Sequence, residues 1–229
     1  MSVESDSNGL QDVINKASFL TINKRKGAGF TVSRSGHVKT SVQQGSLFRF
    51  TVGAPQGLTY SQNRDLVEDL DTLDITQESN VDIGANNTGI SYITSYQGDL
   101  DASNHSTKHE IVAFSGSTLY IQSDSYSASG YLFKKGDFIQ PTGNTNVYRY
   151  PYQVTSDVPN ASASNISVPV HRPILSQEGQ TILTGAKGNY RYGSDVRFHV
   201  ICANMPTYSV VPHDILEFSD NFELIERIT

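Results

Sequence analysis

Tryptophan is absent from the chain, cysteine occurs once and methionine twice. No apolar run approaches the roughly 20 residues that a membrane-spanning helix needs. A lone Cys202 excludes an intrachain disulfide, which fits synthesis in a reducing compartment or a fold that needs no bridge. Positive charge is scarce as well. Seventeen Lys and Arg against 23 Asp and Glu leave a net charge of −6, so a general nucleic-acid surface is not expected. The amino terminus, MSVESDSNGLQDVINK, has neither a basic start nor an apolar run, and no signal peptide is expected there. The sequons at Asn86, Asn104, Asn160 and Asn165 are then read as accidents of a Ser/Thr/Asn-rich composition.

What the chain does have is alternation. Its 229 residues suffice for one large β domain or two small ones with a proper core. Tyr148, Tyr150, Tyr152 and Val154 fall on one side of a period-two run, and Ile166, Val168 and Val170 repeat the pattern. Phe133 to Gln140 reads as a strand bending at Gly136-Asp137. Further strands are expected near residues 18–23, 30–33, 37, 48–52, 80–83, 90–96, 109–114, 119–122, 181–183, 195–204, 207–211 and 221–228. Ser115-Gly116-Ser117 joins two of them as a hairpin. Cys202 continues the face of Val196, Phe198 and Val200, so it is expected in the core.

One helix is expected between Thr59 and Leu73. Leu66, Val67, Leu70 and Leu73 make a stripe at helical period, and Thr59 with Gln62 matches a capping box. The fold class is therefore all-β with one amphipathic helix near 59–73, in the form of a β-sandwich or barrel core with a small inserted β-barrel. The expected division is a flexible arm over 1–16, with at most a short helix over Leu10 to Ile14, a core over 17–125 plus 190–229, and the insertion over 126–189. The last strands are expected to pair with the first.

Signals for chemistry are each weaker than their structural reading. His105 and His109 stand four apart with Glu110 following, but His109 begins a strand, which does not bring both rings to one metal. Lys24 to Gly29 lacks the spacing of a phosphate loop and reads as an exposed, positively charged hairpin tip. No G-x-S-x-G elbow occurs. Asp99 with Asp101, and Asp69 with Asp71, read as solvated pairs rather than glycosidase carboxylates. His171-Arg172-Pro173 reads as a structural corner. The tyrosines at 148, 150 and 152 suit either a core face or a sugar-stacking surface.

Three sets of segments carry a resemblance. They are Val32-Ser-Arg-Ser-Gly36 with Phe48-Arg-Phe-Thr-Val52, Pro55 and Asn63-Arg-Asp-Leu66; Ile90-Ser-Tyr-Ile-Thr-Ser-Tyr-Gln-Gly98; and Lys135-Gly-Asp-Phe-Ile-Gln140 through Tyr150-Pro-Tyr152 and Val154-Thr-Ser-Asp-Val158 to Val170-His-Arg-Pro173. Together they resemble structural proteins of tailed bacteriophages, of the distal-tail or baseplate type found in marine long-tailed phages with contractile tails. The resemblance implies a virion subunit made in the host cytoplasm, with no catalytic residues and no cofactor to carry over. It implies as partners copies of the same chain in a ring and other tail or baseplate proteins, rather than nucleic acid, membrane or a small-molecule substrate. Residues 1–16, the 24–29 loop with Lys24, Arg25 and Lys26, and the 176–193 loop are expected at subunit contacts. A glycan-binding virion module using the Tyr148–Tyr152 face is the alternative. A glycan hydrolase is a third reading, for which two converging carboxylates are needed.

Overall fold

The computed structural model describes residues 8–24, 28–32, 38–42, 47–73, 78–83, 90, 98–99, 107–123, 129–143, 150–161, 165–175 and 184–228. The chain is mostly β, in several antiparallel sheets, with two α-helices among the described residues. In chain order the first half gives α1 (Asn8–Asn15), β1 (Leu20–Asn23), β2 (Ala28–Val32), β3 (Val38–Val42), β4 (Arg49–Val52), β5 (Leu58–Thr59), α2 (Arg64–Thr72) and β6 (Ser79–Asp82). The middle gives β7 (His109–Ser115), β8 (Thr118–Ser123), β9 (Tyr131–Phe133), β10 (Phe138–Pro141), β11 (Tyr152–Gln153), β12 (Val158–Pro159) and β13 (Ile166–Pro169). The last part gives β14 (Tyr190–Tyr192), β15 (Arg197–Asn204), β16 (Tyr208–Val211), β17 (Ile215–Phe218) and β18 (Phe222–Glu226).

The main sheet has the order β1-β4-β18-β15-β6. The late strand β18 lies at its centre, paired with β4 through Val52↔Phe222 and Phe50↔Leu224 and with β15 through Cys202↔Leu224. This is the return of the last strands to the first that the matching alternation led us to expect. Phe50, Val52, Phe198, Val200, Cys202, Phe222 and Leu224 are all buried, because period two sends them to one face. Both helices cover that core. Leu10, Val13 and Ile14 of α1 and Leu66 and Leu70 of α2 join the same cluster.

Two expectations change here. Within the 1–16 arm, the short helix allowed for over Leu10 to Ile14 is present as α1, and it is docked, with its apolar side chains buried; residues 1–7 lie outside the described part. The chain thus has a second helix, crossing α2 so closely that a Cβ on Gly9 would stand 3.1 Å from Asp69 Cβ. Helix α2 begins at Arg64 rather than near Thr59. Leu58 and Thr59 are instead taken up in β5, paired to β17 through Leu58↔Leu216 and Thr59↔Ile215, so no capping box forms. The expected stripe itself is as read, with Leu66, Val67 and Leu70 buried.

A second core gathers Ile111, Leu119, Ile121, Leu132, Phe133, Ile139, Tyr152, Val154, Val158, Val168, Tyr190 and their neighbours. Around it lie short sheets, β13-β8-β7, β11-β10-β14 and β12-β9. No closed barrel forms among the described strands. This core takes residues from before 126 (Ile111, Leu119, Ile121) and after 189 (Tyr190, Tyr192), so the packed unit is wider than the expected insertion. The strands expected at 90–96 and 181–183 lie outside the described residues, apart from Ile90.

Candidate functional site

The two cores meet at a buried ion pair. Glu226 continues the core-facing register of Phe222 and Leu224, so the alternation of β18 carries a carboxylate into the interior. An unpaired charge there would be costly. Arg172, at the corner after β13, supplies the partner. Its Nη1 donates to Glu226 Oε2 at 2.7 Å and its Nη2 to Oε1 at 2.6 Å, a bidentate pair 3% and 0% exposed at the two side chains.

The surroundings complete the joint. Arg172 Nη2 also donates to Pro151 O at 3.0 Å, and the backbone N–H of Phe48 donates to Glu226 Oε2 at 3.1 Å. The guanidinium carbon lies 5.3 Å from the Tyr152 ring centre, 5.6 Å from Phe48 and 6.0 Å from Tyr150. Next in sequence, His171 packs 4.9 Å from Phe48, and its Nδ1 accepts the Gln153 N–H at 3.0 Å. Phe138, from the β10 strand of the second unit, stacks edge-on against Phe198 of the main sheet at 5.6 Å. Side chains from both units therefore interlock around one charge pair. Chemically the joint is closed. It ties the two cores together through the bidentate pair.

Neither a known protein-family model nor a curated protein sequence matches the chain.

Beside the joint, at the seam between β1 and the β10–β11 pair, lies a cavity of about 260 Å³. Among the described residues it is lined by Ile22, Lys24, Phe138 and Gln153. The Lys24 ammonium is hydrogen-bonded to Gln153 Oε1, and Gln153 Nε2 donates to Gly136 O at 2.8 Å. Partial burial, and then the neighbouring charge of Lys135, push the Lys24 pKa below its ordinary value. Of the three lysine and arginine residues expected at contacts, Lys24 is thus at this cavity; Arg25 and Lys26 lie outside the described residues.

The Lys134–Asp137 turn between β9 and β10 is structural. Asp137 Oδ2 accepts the Lys134 N–H at 2.8 Å, and the Lys134 carbonyl accepts the Asp137 N–H at 3.1 Å. Gly136 adopts φ +106° at the bend. Burial raises the Asp137 pKa against the opposing hydrogen bonds. Asp99 accepts the Tyr131 N–H at 3.1 Å and is ion-paired with Lys134, so it clamps the turn rather than facing a cleft. Asp101 lies outside the described residues.

His109 is fully buried at the start of β7, its Nε2 3.2 Å from Asn160 Oδ1, while His105 lies outside the described residues. No group of three or more His, Cys, Asp or Glu side chains that could hold a metal occurs among the described residues. Tyr150 and Tyr152 are 5% and 1% exposed, and the Tyr152 hydroxyl accepts the Leu175 N–H at 2.9 Å. These two rings are core, not a sugar-stacking face, because the alternation that aligns them turns them inward; Tyr148 lies outside the described residues. Asp69 and Asp71 are on the exposed side of α2, Asp71 accepting the Tyr208 hydroxyl at 2.9 Å. Of the 176–193 loop, residues 184–193 are described, and Asn189 there is buried, exchanging two 2.8 Å hydrogen bonds with the Ile111 backbone.

Sequence reasoning missed Glu226. The signal was present: Phe222, Leu224 and Glu226 share one register, and a carboxylate on an apolar register needs a buried cation.

Proposed function

We propose that the chain is a structural subunit of a bacteriophage tail or baseplate, building a ring through contacts between copies and joining other tail proteins in the virion. The observation that supports this best is the Arg172–Glu226 joint. A subunit that must repeat around an axis needs its parts held at a fixed angle, and a desolvated bidentate pair set among aromatic rings does that. With it goes the finer architecture, a β core interrupted by a smaller β unit that joins it through this pair.

Two further features fit a building block. The β2–β3 hairpin pairs along its length, from Ala28↔Val42 to Val32↔Val38, and among the described strands it belongs to no larger sheet. Isolated two-stranded hairpins are marginal in water and gain from a neighbour. Val210 and Ile215, on the β16–β17 hairpin, are 49% and 37% exposed. The test is the mass of the purified protein by light scattering across a range of concentrations, with negative-stain images of the same samples. A closed ring of defined copy number is expected. A strict monomer at every concentration would overturn the ring.

A further inference from the structure

We propose that the outer edge of β16 takes up strand β2 of a second copy of the chain, so that the β2–β3 hairpin of one copy extends the β5-β17-β16 sheet of the next. This rests on the assembly reading above and names the strands that would join.

The phase of the ladder fixes which groups β16 offers. The Ser219 N–H donates to Thr207 O at 2.8 Å on one side of β17, and the Tyr60 N–H donates to Asp214 O at 2.8 Å on the other. Successive residues of an antiparallel strand turn their backbone groups to opposite sides, so odd-numbered residues of β17 bond to β16 and even-numbered ones to β5. Thr207, Ser209 and Val211 then face β17, and Tyr208 and Val210 send their N–H and C=O groups to the outer edge. No described strand lies beyond that edge. Edge strands of monomeric proteins are blunted by a charge, a proline or a bulge. Tyr208-Ser209-Val210-Val211 has no charged residue and no proline, its register with β17 is regular, and Val210 is 49% exposed. Such an edge is a template for another strand.

The hairpin is the complementary piece. Strands β2 and β3 pair over five residues and join no larger sheet among the described strands. Lys39 guards the β3 side, whereas β2, Ala28-Gly29-Phe30-Thr31-Val32, is uncharged and is the side open to pairing. Charge selects the partner. From residue 25 to 44 the sequence has four Lys and Arg and no Asp or Glu; from 198 to 226 it has five Asp and Glu and no Lys or Arg. Of these acids, Glu217, Asp220 and Glu223 are exposed and form no ion pair among the described residues. A basic hairpin is steered to an acidic sheet edge. Within one copy β2 and β16 belong to separate sheets, so their pairing joins different patches of two copies. Such a contact is heterologous, and with a closing rotation it generates a ring.

The experiment first blocks the edge and then maps it. Val210→Pro removes an outward N–H and none that bonds β17, and Val210→Lys puts a charge on the same edge. Both variants are checked for wild-type circular dichroism, and light scattering is read at low and at high salt. Wild-type protein is expected to assemble, less so at high salt. Both variants are expected to associate about tenfold or more weakly, since the edge is closed to a new strand. For the map, Ser209→Cys protein is mixed with Thr31→Cys protein and treated with a short bis-maleimide, which the buried Cys202 does not meet. Crosslinked dimer is expected from the mixture and not from either protein alone. If wild-type protein assembles and both Val210 variants assemble equally well, this contact is wrong while the assembly reading stands. Ser209→Cys protein that crosslinks to itself as readily as to its partner would also overturn the contact, because β16 would then meet β16. If no form of the protein assembles, both readings fall.

Discussion

Arg172 and Glu226 face each other across the boundary between the two cores, and each is held by more than its partner: Pro151 O accepts a guanidinium N–H and the Phe48 N–H donates to a carboxylate oxygen. Truncating one member leaves the other charged and buried. Arg172→Ala is expected to cost about 3–5 kcal/mol in urea unfolding, and Glu226→Ala a similar amount. Replacing both, as Arg172→Met with Glu226→Leu, is expected to cost far less than the sum. Equal additivity in that double-mutant cycle would show the pair to be uncoupled.

Gly98 gives a second stability test. It sits at φ +68°, and a Cβ there would come within 2.5 Å of the Tyr131 and Leu132 carbonyl oxygens. Gly98→Ala therefore meets both backbone strain and a clash with main chain that cannot swing aside, and a loss of about 2–4 kcal/mol is expected. Gly116, at φ +54° with nothing within 4 Å, carries the strain alone. Gly116→Ala is expected to cost about 1 kcal/mol. Thermal melts that rank the two the other way would contradict the close approach at Gly98.

The Cys202 thiol is buried, and desolvation pushes its pKa up to about 11. A thiol in that state is a poor nucleophile. At pH 8 the native protein is expected to resist a disulfide-exchange reagent, and the labelling rate to follow unfolding as urea is added. Prompt labelling of folded protein would place Cys202 at the surface.

Asp137 makes a pH prediction. Its pKa is raised in the folded protein above the ordinary 3.8, chiefly by burial. Between those two values the folded state binds more protons than the unfolded state, so stability falls as pH rises through that window. Asp137→Asn is expected to flatten this part of the pH–stability curve. An NMR titration of the Asp137 carboxyl placing its pKa below the ordinary value would reverse the sign.

How much of this was legible in the sequence depends on whether a neighbour far along the chain intervened. The α2 stripe was plain, because helical period is a local property of Leu66, Val67 and Leu70. Its start was not, because Leu58 and Thr59 are drawn into a strand by Leu216 and Ile215, more than 150 residues on. Strand β17 itself went unread. The turn before it holds His213 at φ +71° and Asp214 at φ +63°, without the glycine that marks such turns, and Asp214 is fixed instead by bonds from Tyr60 and Ser61. The short helix α1 carries only three buried apolar residues and owes its place to docking on α2 and the sheet. At the joint, the corner at His171-Arg172-Pro173 was visible as a corner, but its partner was a long-range fact. The seam cavity combines Ile22 with Gln153, which no local pattern connects.

The order β1-β4-β18-β15-β6 also sets a timetable for synthesis. The strand at the middle of the main sheet is made after every other strand of that sheet, and until it arrives β4 and β15 have no strand between them. The second core has all its residues, Ile111 to Tyr192, well before that moment. It can fold early, while the apolar faces of β1, β4, β15 and the two helices wait uncovered. Pairings so distant in sequence form slowly, and the waiting surface is open to misassociation. The arrival of Glu226 then closes the sheet and neutralises Arg172 in one event, so the nascent chain completes its core and fixes its two halves together at the same late point.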